Sequence, residues 1–387
     1  MRRMDTYIHD LKDWPHFRWD HSRFAQKLAA VRNRQGRLTG RMEELGFRLR
    51  SEANLEALTE EVTRSSEIEG EILNRDQVRS SIARRLGVDI GALTPSERNV
   101  DGIVEMMLDA TQEYNTALTS KRLFGWHAAL FPTGHSGMNK ITVGAWRPDE
   151  TGPMQVVSGP IGRERVHYEA PKAAKLPDEM TAFVDWFNVS QDIDPVLKAA
   201  VAHLWFVTIH PFEDGNGRIA RAIADMALAR SENSSQRFYS MSAQIRQERN
   251  AYYDILEATQ KDDLDITDWL EWFLDCLDRA FTRAETILAS VLKKARFWKK
   301  HAGDAFNERQ RTMIDRLFNG FEGKLTSSKW AQLTKCCLIS RRLQQRALLP
   351  LPPRLRLPAF SRLRRMQAPI RSISNTTRFR RWRRRDR

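Results

Sequence analysis

The chain has 387 residues, of which 41% are hydrophobic and 29% charged, a composition typical of a globular protein with room for two or three domains. The start of the chain does not resemble a targeting signal, and its longest uncharged run, near residues 199–212, is shorter than the roughly 20 apolar residues that span a bilayer. These features exclude a membrane-spanning or exported protein from our expectations. The three cysteines fit neither a paired framework nor a zinc spacing, which favours a reducing cytoplasm. The net charge of +14 leaves open a nucleic-acid partner.

Two amphipathic helices are predicted near the N-terminus. Apolar residues recur at three- and four-residue steps from Phe24 to Leu49, which predicts one long helix. A second helix is predicted over residues 51–70, where Leu55 begins an apolar stripe and Gly70 is a residue that often ends helices. Glu69 is therefore expected at the end of the second helix.

The rest of the body reads as mainly α, with one exception. The segments KITVGAW (140–146) and PMQVVSG (153–159) favour β structure, and the Pro, Asp and Gly between them suit a turn. We therefore predict that these two segments pair as a β-hairpin. Further helices are predicted over residues 99–114, 195–210, 217–230 and 266–281.

The sequence HPFEDGNGRIAR, residues 210–221, begins where an apolar helix meets a proline and ends inside the next helix. Gly215 and Gly217 adopt positive φ at no steric cost and Asn216 tolerates it, so their amides can turn inward as an anion-binding nest. The following helix adds its positive N-terminal dipole. Arg218 and Arg221 lie three residues apart on that helix, so both can reach a bound polyphosphate.

His210 and Asp214 supply the groups that a transfer reaction needs. Asp214 offers a hard oxygen ligand for Mg²⁺, and His210 has an ordinary pKa near neutrality, suited to accept a proton from a hydroxyl. The alternative is a capping histidine followed by an ordinary turn, but six polar or glycine positions in fixed order favour a functional loop. His203 lies seven residues before His210, which is not a helical metal spacing, so we interpret it as a core residue.

Residues 210–221 match the Fic family signature, HxFx(D/E)GNGRxxR, at every fixed position. This resemblance implies a helical Fic core that transfers AMP from ATP to a Ser, Thr or Tyr hydroxyl of a target protein. It also implies that His210 is the general base and that Asp214 holds Mg²⁺. The residues that would bind the nucleotide phosphates are Gly215, Asn216, Gly217, Arg218, Ile219, Ala220 and Arg221.

The predicted hairpin resembles the flap of Fic proteins, which aligns the target as an added strand. By this resemblance the nucleotide would be lined by Val143, Gly144, Ala145 and Trp146. Tyr252 and Tyr253 resemble a tyrosine pair near the family's adenine pocket, and Gln260 stands where a polar contact is found. Ordinary aromatic packing on a helix is the alternative for the two tyrosines.

The upstream sequence SSEIEG, from Ser65 to Gly70, is similar to the family's inhibitory pattern (S/T)xxxE(G/N). Its glutamate corresponds to Glu69, and the resemblance implies that Glu69 pairs with Arg221 where the γ-phosphate would be held. A solvated acidic helix end is the alternative.

The predicted domains are a helical domain over residues 1–95, a Fic domain over 96–290, a partial winged helix over 291–337 and a basic tail over 338–387. The winged-helix pattern stops after Cys337. The tail that follows holds 16 arginines, five prolines and a single acidic residue, Asp386. Such a composition predicts disorder and looks like an alternative reading frame.

The leading interpretation is thus an autoinhibited protein adenylyltransferase that uses ATP and Mg²⁺. Alternatives are a Fic-type enzyme that removes AMP or transfers another phosphate-containing group, and an ATP-sensing, DNA-binding regulator. Walker A and GxGxxG patterns are absent from the sequence. Expected partners are a target protein, the chain itself included, weakly bound nucleic acid and a second copy in a homodimer.

Overall fold

The computed structural model describes residues 7–149, 152–159, 163–189 and 193–318. The chain divides into two compact units, one ending at Ala289 and one starting at Ser290. The mainly α fold expected from the sequence is confirmed. Within the described ranges, none of the helices combines the length and the apolar character needed to cross a membrane.

Eleven helices of four residues or more begin in the described part of the first unit, and the last of them continues past Ala289. They are α1 (His21–Glu43), α2 (Phe47–Ile68), α3 (Arg75–Leu86), α4 (Arg98–Gln112), α5 (Ser120–Leu130), α6 (Leu176–Asn188), α7 (Pro195–Ile209), α8 (Asn216–Glu232), α9 (Met241–Gln247), α10 (Arg249–Gln260) and α11 (Thr267–Lys300).

Helices α7 and α8 form the centre of this unit. The Asp194 side chain caps α7 by accepting a hydrogen bond from the Val196 amide at 2.8 Å, and Pro195 occupies the first helical position. Every residue from Ala199 to Ile209 is buried, so α7 contacts neighbours on all sides. The loop from α7 to α8 therefore rests on the core.

Polar contacts as well as apolar packing hold α2 against α9 and the segment that precedes it. The carboxylate of Glu61 accepts hydrogen bonds from Ser240 Oγ at 2.7 Å and from the Ser242 amide at 3.0 Å. The Asn54 side chain accepts the Arg237 amide at 2.7 Å. These five residues and the apolar stripe of α2 are buried, so α2 is firmly packed and holds its C-terminal end in place.

The single N-terminal helix predicted from Phe24 to Leu49 is wrong, because the chain breaks between α1 and α2. Helix α1 ends at Glu43, and α2 starts when the amides of Leu49 and Arg50 bond to the Gly46 carbonyl at 3.0 and 3.2 Å. Both helices bury one side, so the apolar spacing continues across the break and conceals it.

The expected pairing of residues 140–146 with residues 153–159 is also wrong. Among the residues that the structure describes, four strands form two antiparallel hairpins instead. The strands are β1 (His135–Ser136), paired with β2 (Asn139–Lys140), and β3 (Gln155–Ser158), paired with β4 (Arg165–Glu169). The first predicted segment contributes only Lys140 to a strand. The second forms β3, and its partner lies further along the chain.

The reason is that the segment after β2 bonds to the α7–α8 loop and to α5. The amide of Thr142 donates to Glu213 at 2.5 Å, that of Gly144 to His127 Nδ1 at 3.2 Å, and that of Arg147 to the Pro211 carbonyl at 2.9 Å. Gly144 also has a φ of 70°, which a strand does not contain. These amides are therefore not available to a neighbouring strand.

The β3–β4 hairpin lies against the end of α7. A bulge shifts the register between Val156, which pairs with Tyr168, and Val157, which pairs with Val166. The buried Tyr168 hydroxyl donates to the Thr208 carbonyl of α7 at 2.8 Å. This contact anchors the hairpin two residues from His210.

In the second unit, the described residues are the end of α11 and helix α12 (Glu308–Phe318). Phe306 and Ile314 are buried there against Phe297, Trp298 and Phe318. The partial winged helix was expected in this region, over residues 291–337. The remainder of that domain and the tail over residues 338–387 lie outside the described residues, so both stay predictions.

Candidate functional site

The loop between α7 and α8, residues 210–215, is called the site loop below. His210 opens it in the left-handed conformation, with φ 51° and ψ 57°. Such a backbone costs a non-glycine residue about 1–2 kcal/mol. The His210 carbonyl accepts Arg147 Nε at 2.8 Å, and the Arg147 amide bonds to Pro211. The buried Arg147 thus holds His210 in an orientation that the free chain disfavours.

The imidazole of His210 is neutral and presents a lone pair. Its Nδ1 lies 3.2 Å from the Val207 carbonyl, which can only accept, so Nδ1 carries the proton and Nε2 has the lone pair. Burial is the main cause and the positive charge of Arg147 the second cause that lower the pKa of His210 to about 4. At neutral pH, His210 can therefore accept a proton.

Asn216, the first residue of α8, closes the site loop. Its side chain accepts the Phe212 amide at 2.9 Å and donates to the Phe212 carbonyl at 2.7 Å. Phe212 is fully buried and stacks on His127, with ring centroids 4.2 Å apart. The side chain of Asn216 is therefore committed to the shape of the loop.

Two glycines bring other groups close to the start of α8. Gly215 has a φ of 82°, and a Cβ atom there would lie 2.9 Å from the Phe131 ring. A Cβ atom at Gly217 would lie 2.3 Å from Glu69 Oε1. The Glu69 carboxylate therefore lies directly over the first turn of α8, where the helix dipole attracts an anion.

Asp214 has the donor chemistry that Mg²⁺ prefers. One of its oxygens accepts the Gly215 amide at 2.6 Å, and the other accepts the Ser136 hydroxyl of β1. No group of three His, Cys, Asp or Glu side chains able to cage a metal occurs among the described residues. A lone carboxylate beside a phosphate site fits Mg²⁺, which keeps waters and binds substrate phosphates.

Arg221 is held by the end of α2. Its Nε donates to Ser65 Oγ at 2.9 Å, and its Nη2 donates to the Ser65 carbonyl at 2.9 Å and to Glu69 Oε1 at 2.8 Å. The side chain is 2% exposed, yet Nη1 has no hydrogen-bond partner. Buried donors without a partner are rare, and an additional acceptor would satisfy this one.

Arg218 lies one turn earlier and pairs with a different carboxylate. Its Nη1 donates to Glu71 Oε2 at 2.9 Å, its guanidinium lies over the Phe131 ring, and its buried Nε has no partner. The side chains of Ile219 and Ala220, between the two arginines, face the core with 0% exposure. Only their backbone can contact a nucleotide.

The residues expected to line the nucleotide from the flap side lie beside the site loop. Trp146 packs against Phe124 and Phe212, with ring centroids 4.4 and 5.2 Å apart. Gly144 has a positive φ and lies beside the Phe124 carbonyl of α5. The other two expected residues, Val143 and Ala145, are half-buried.

The three residues expected near adenine have different surroundings. The Tyr252 hydroxyl bonds to His203 Nε2 at 2.9 Å, and Gln260 donates to Thr208 Oγ1 at 3.2 Å, both in the interior. Tyr253 is half-buried next to Tyr252, with ring centroids 5.1 Å apart. The structure thus brings Tyr252 and Gln260 into core contacts, and it brings neither into a described contact with the site loop.

Sequence reasoning missed four residues that shape the site: Arg147, Ser136, Glu71 and His127. His127 Nε2 donates to the Asp214 carbonyl at 3.2 Å, so its Nδ1 is the acceptor for the Gly144 amide. Burial lowers the pKa of His127 to about 4, which keeps it neutral. A single histidine or serine far from the motif leaves no spacing signal that could have identified it.

Comparisons with known proteins identify the families that parts of this chain match. Residues 117–228 match the Fic/DOC family, and residues 7–88 match a domain of unknown function, DUF4172. A 231-residue stretch, 59% of the chain, is 29% identical to the protein adenylyltransferase Fic of Culex quinquefasciatus and covers 41% of it. The Aedes aegypti protein of the same name is also 29% identical, with 42% of its length covered. The chain thus spans about two fifths of these curated relatives.

Solved structures of similar chains include a Fic family protein from Desulfovibrio desulfuricans G20. It is 21% identical with a TM-score of 0.48, and the match covers 83% of this chain and 86% of that one. A Fic-domain signalling protein from Bacteroides thetaiotaomicron is also 21% identical, with a TM-score of 0.49, covering 69% and 97% of the respective chains.

Proposed function

Because this chain is a Fic-family protein, we propose that it is a protein adenylyltransferase, which moves AMP from ATP to a Ser, Thr or Tyr hydroxyl of a target protein. The observation that carries the proposal is the neutral His210 lone pair held beside the N-terminus of α8, where Arg218 and Arg221 each keep an unused donor. Binding of a polyphosphate and removal of a hydroxyl proton then occur at one place.

In the proposed reaction, the target hydroxyl oxygen attacks the α-phosphorus of ATP. The new oxygen–phosphorus bond forms as the bond to the β-phosphate breaks, and pyrophosphate leaves. His210 Nε2 accepts the hydroxyl proton, since Nδ1 is already protonated toward Val207. Arg147 keeps the imidazole aligned through the His210 carbonyl.

The phosphates would be held by the α8 amides and the two arginines, with catalysis mainly by positioning and charge neutralisation. Asp214 would hold Mg²⁺, which supplies charge neutralisation on the phosphates when bound. Ser136 and the Gly215 amide keep the Asp214 carboxylate oriented. The flap function is proposed for the β3–β4 hairpin in place of the segment expected from the sequence.

We further propose that Glu69 inhibits the enzyme. Its carboxylate bonds to Arg221 and lies over Gly217, so it competes with a phosphate for the same donors and the same helix dipole. If ATP binds with one phosphate displaced, its α-phosphorus is misaligned with the target hydroxyl. A displacement of about 1 Å can lower the transfer rate on the order of a hundredfold.

The decisive experiment incubates the full chain with Mg²⁺ and ATP labelled on the α-phosphate, together with candidate target proteins. We expect Glu69→Gly to transfer label at least about tenfold faster than the wild type, because alignment is restored. Glu113→Gly is the matched control, since Glu113 is also the residue after a helix end but lies elsewhere. Mass spectrometry then identifies the modified residue.

Other outcomes would favour the alternatives. Loss of AMP from a pre-modified target would indicate a de-AMPylase, and ATP binding without any transfer would indicate a sensor. Equal transfer by the wild type and Glu69→Gly would contradict the inhibitory role. The target, self-modification, nucleic-acid binding, a homodimer and a cytoplasmic location stay predictions.

A further inference from the structure

The end of α2 places two carboxylates, not one, at the nucleotide site. Gly70 has a φ of 85°, its amide bonds to the Glu67 carbonyl at 3.1 Å, and the Glu71 amide bonds back to the Ser66 carbonyl at 3.0 Å. This is a Schellman helix end, which fixes the residues on both sides of the glycine. Glu69 and Glu71 are therefore positioned together by one backbone turn.

Glu71 is the partner of Arg218. Its Oε2 accepts Arg218 Nη1 at 2.9 Å, and its Oε1 accepts the Asn99 side chain of α4 at 3.3 Å. The Arg218 side chain is 6% exposed and that of Glu71 is 36% exposed. The pair thus joins a buried guanidinium to a carboxylate at the protein surface.

We propose that Glu71 is a second determinant of nucleotide affinity and selectivity, which a phosphate group of ATP must displace from Arg218. This inference rests on the proposed adenylyltransferase function. Glu69 neutralises Arg221, and Glu71 neutralises Arg218. Removal of Glu69 releases only Arg221, and Arg218 stays paired until a phosphate replaces Glu71.

A purely structural role accounts less well for this contact. Ion pairs with a partly exposed partner contribute little to stability, so the fold gains little from Glu71. A phosphate oxygen, in contrast, competes for a planar, nearly buried guanidinium beside a helix N-terminus. The unpartnered Nε of Arg218 offers that oxygen a second donor, which Glu71 leaves unused.

The same geometry predicts selectivity by phosphate count. Arg218 and Arg221 lie three residues apart on one helix face, so a polyphosphate can engage both, whereas a nucleoside without phosphates engages neither. Replacing Glu71 should therefore strengthen the binding of ATP and leave the binding of adenosine unchanged.

The test measures binding by calorimetry with Mg²⁺, using the full chain in a Glu69→Gly background. Addition of Glu71→Gln should lower the Kd for ATP by about three- to tenfold, because the competing charge is removed while the side-chain shape is kept. The Kd for adenosine should stay the same. Glu105→Gln, on the exposed face of α4, is the matched control and should change neither value.

Transfer kinetics give a second readout. Glu71→Gln should lower KM for ATP by a similar factor with little change in kcat, because Glu71 competes with binding and does not act on the reacting atoms. Asn99→Ala removes only the second contact of Glu71 and should act in the same direction to a smaller extent.

An unchanged Kd for ATP in Glu71→Gln and in Asn99→Ala would overturn the inference, as would equal gains for ATP and adenosine. A fall in thermal stability with no gain in ATP affinity would also overturn it and identify a structural ion pair. If Glu69→Gly binds ATP but transfers nothing, the proposed function fails while the affinity measurements still decide the role of Glu71. ATP binding by none of the variants would contradict both proposals.

Discussion

The site loop, residues 210–215, and the segment that covers the first turn of α8, residues 65–71, are built by opposite means. The loop is shaped by buried contacts near it in space, such as the paired Asn216–Phe212 hydrogen bonds and the Phe212–His127 stack. The covering segment comes from far away, since Glu69 and Arg221 are 152 residues apart in the sequence. It reaches the site through ion pairs and hydrogen bonds.

This difference separates what must stay fixed from what must be replaceable. Buried hydrogen bonds are costly to break, because each unsatisfied group costs about 1–3 kcal/mol. Ion pairs with a partly exposed partner exchange their ligand at little cost. We therefore expect substitutions in the loop to abolish activity or stability, and substitutions in the covering segment to change only regulation.

The largest effect is expected for His210→Ala in the Glu69→Gly background. Loss of the general base should lower the transfer rate about 10²- to 10⁴-fold, and ATP binding should be unchanged because the phosphate donors remain. Initial rates with labelled ATP and a calorimetric Kd check this. His16→Ala, at an exposed histidine, is the control. A surviving rate would mean that the transfer does not use this site.

Asn216→Ala tests whether the loop is fixed from within. It leaves the buried amide and carbonyl of Phe212 without partners, so the free energy of unfolding should fall by about 2–4 kcal/mol. Urea denaturation measures this change, with the exposed Asn115→Ala as control. The same stability for both variants would mean that the loop is held by its surroundings alone.

The pH dependence of stability tests the buried His127 beneath the loop. Because its pKa falls from 6.5 to about 4 on folding, the unfolded chain binds the proton more tightly, and acid destabilises the fold as the pH falls below 6.5. At pH 5.5 this group costs about 1.4 kcal/mol relative to pH 7.5. His127→Gln should reduce the pH-dependent loss of unfolding free energy by that amount, and His16→Gln should not.

The smallest effect is expected in the covering segment. Gly70→Ala forces a side chain into a left-handed backbone with open space around it, so stability should fall by about 1 kcal/mol. Transfer should rise a few-fold as Glu69 and Glu71 lose their alignment. Gly91→Ala carries the same strain, with a φ of 79° and open space, but lies elsewhere. If Gly70→Ala and Gly91→Ala transfer AMP at the same rate, the helix end at Gly70 has no role in regulation.

The parts of the site that the sequence predicts are those encoded locally. The proline after His210 fixes its own φ, and glycines at positions 215 and 70 permit the positive φ that both adopt in the structure. The positive φ expected for Asn216 and Gly217 is wrong, because both lie within α8. The helix ends and the site loop follow from such signals. The position of Glu69 over α8 came from the resemblance, because no local signal connects residues so far apart.

The parts that could not be predicted depend on long-range contacts. The segment after β2 looks like a strand by composition, but its amides bond to Glu213, His127 and Pro211, which the composition does not encode. The break at Gly46 is concealed because α1 and α2 bury the same kind of stripe. In the sequence, Glu71 has the character of an ordinary polar loop residue, and only the structure shows its contact with Arg218.

The firm packing of α2 has a kinetic consequence. Glu61 and Asn54 anchor the helix, and its buried side extends as far as Ile68. Release of the arginines therefore requires only that two glutamate side chains rotate, and partly exposed side chains change rotamer in picoseconds to nanoseconds. No helix has to leave its place. The transfer activity should therefore respond to added ATP without a lag. The concentration of ATP, and not the speed of a domain movement, should set how fast this response develops.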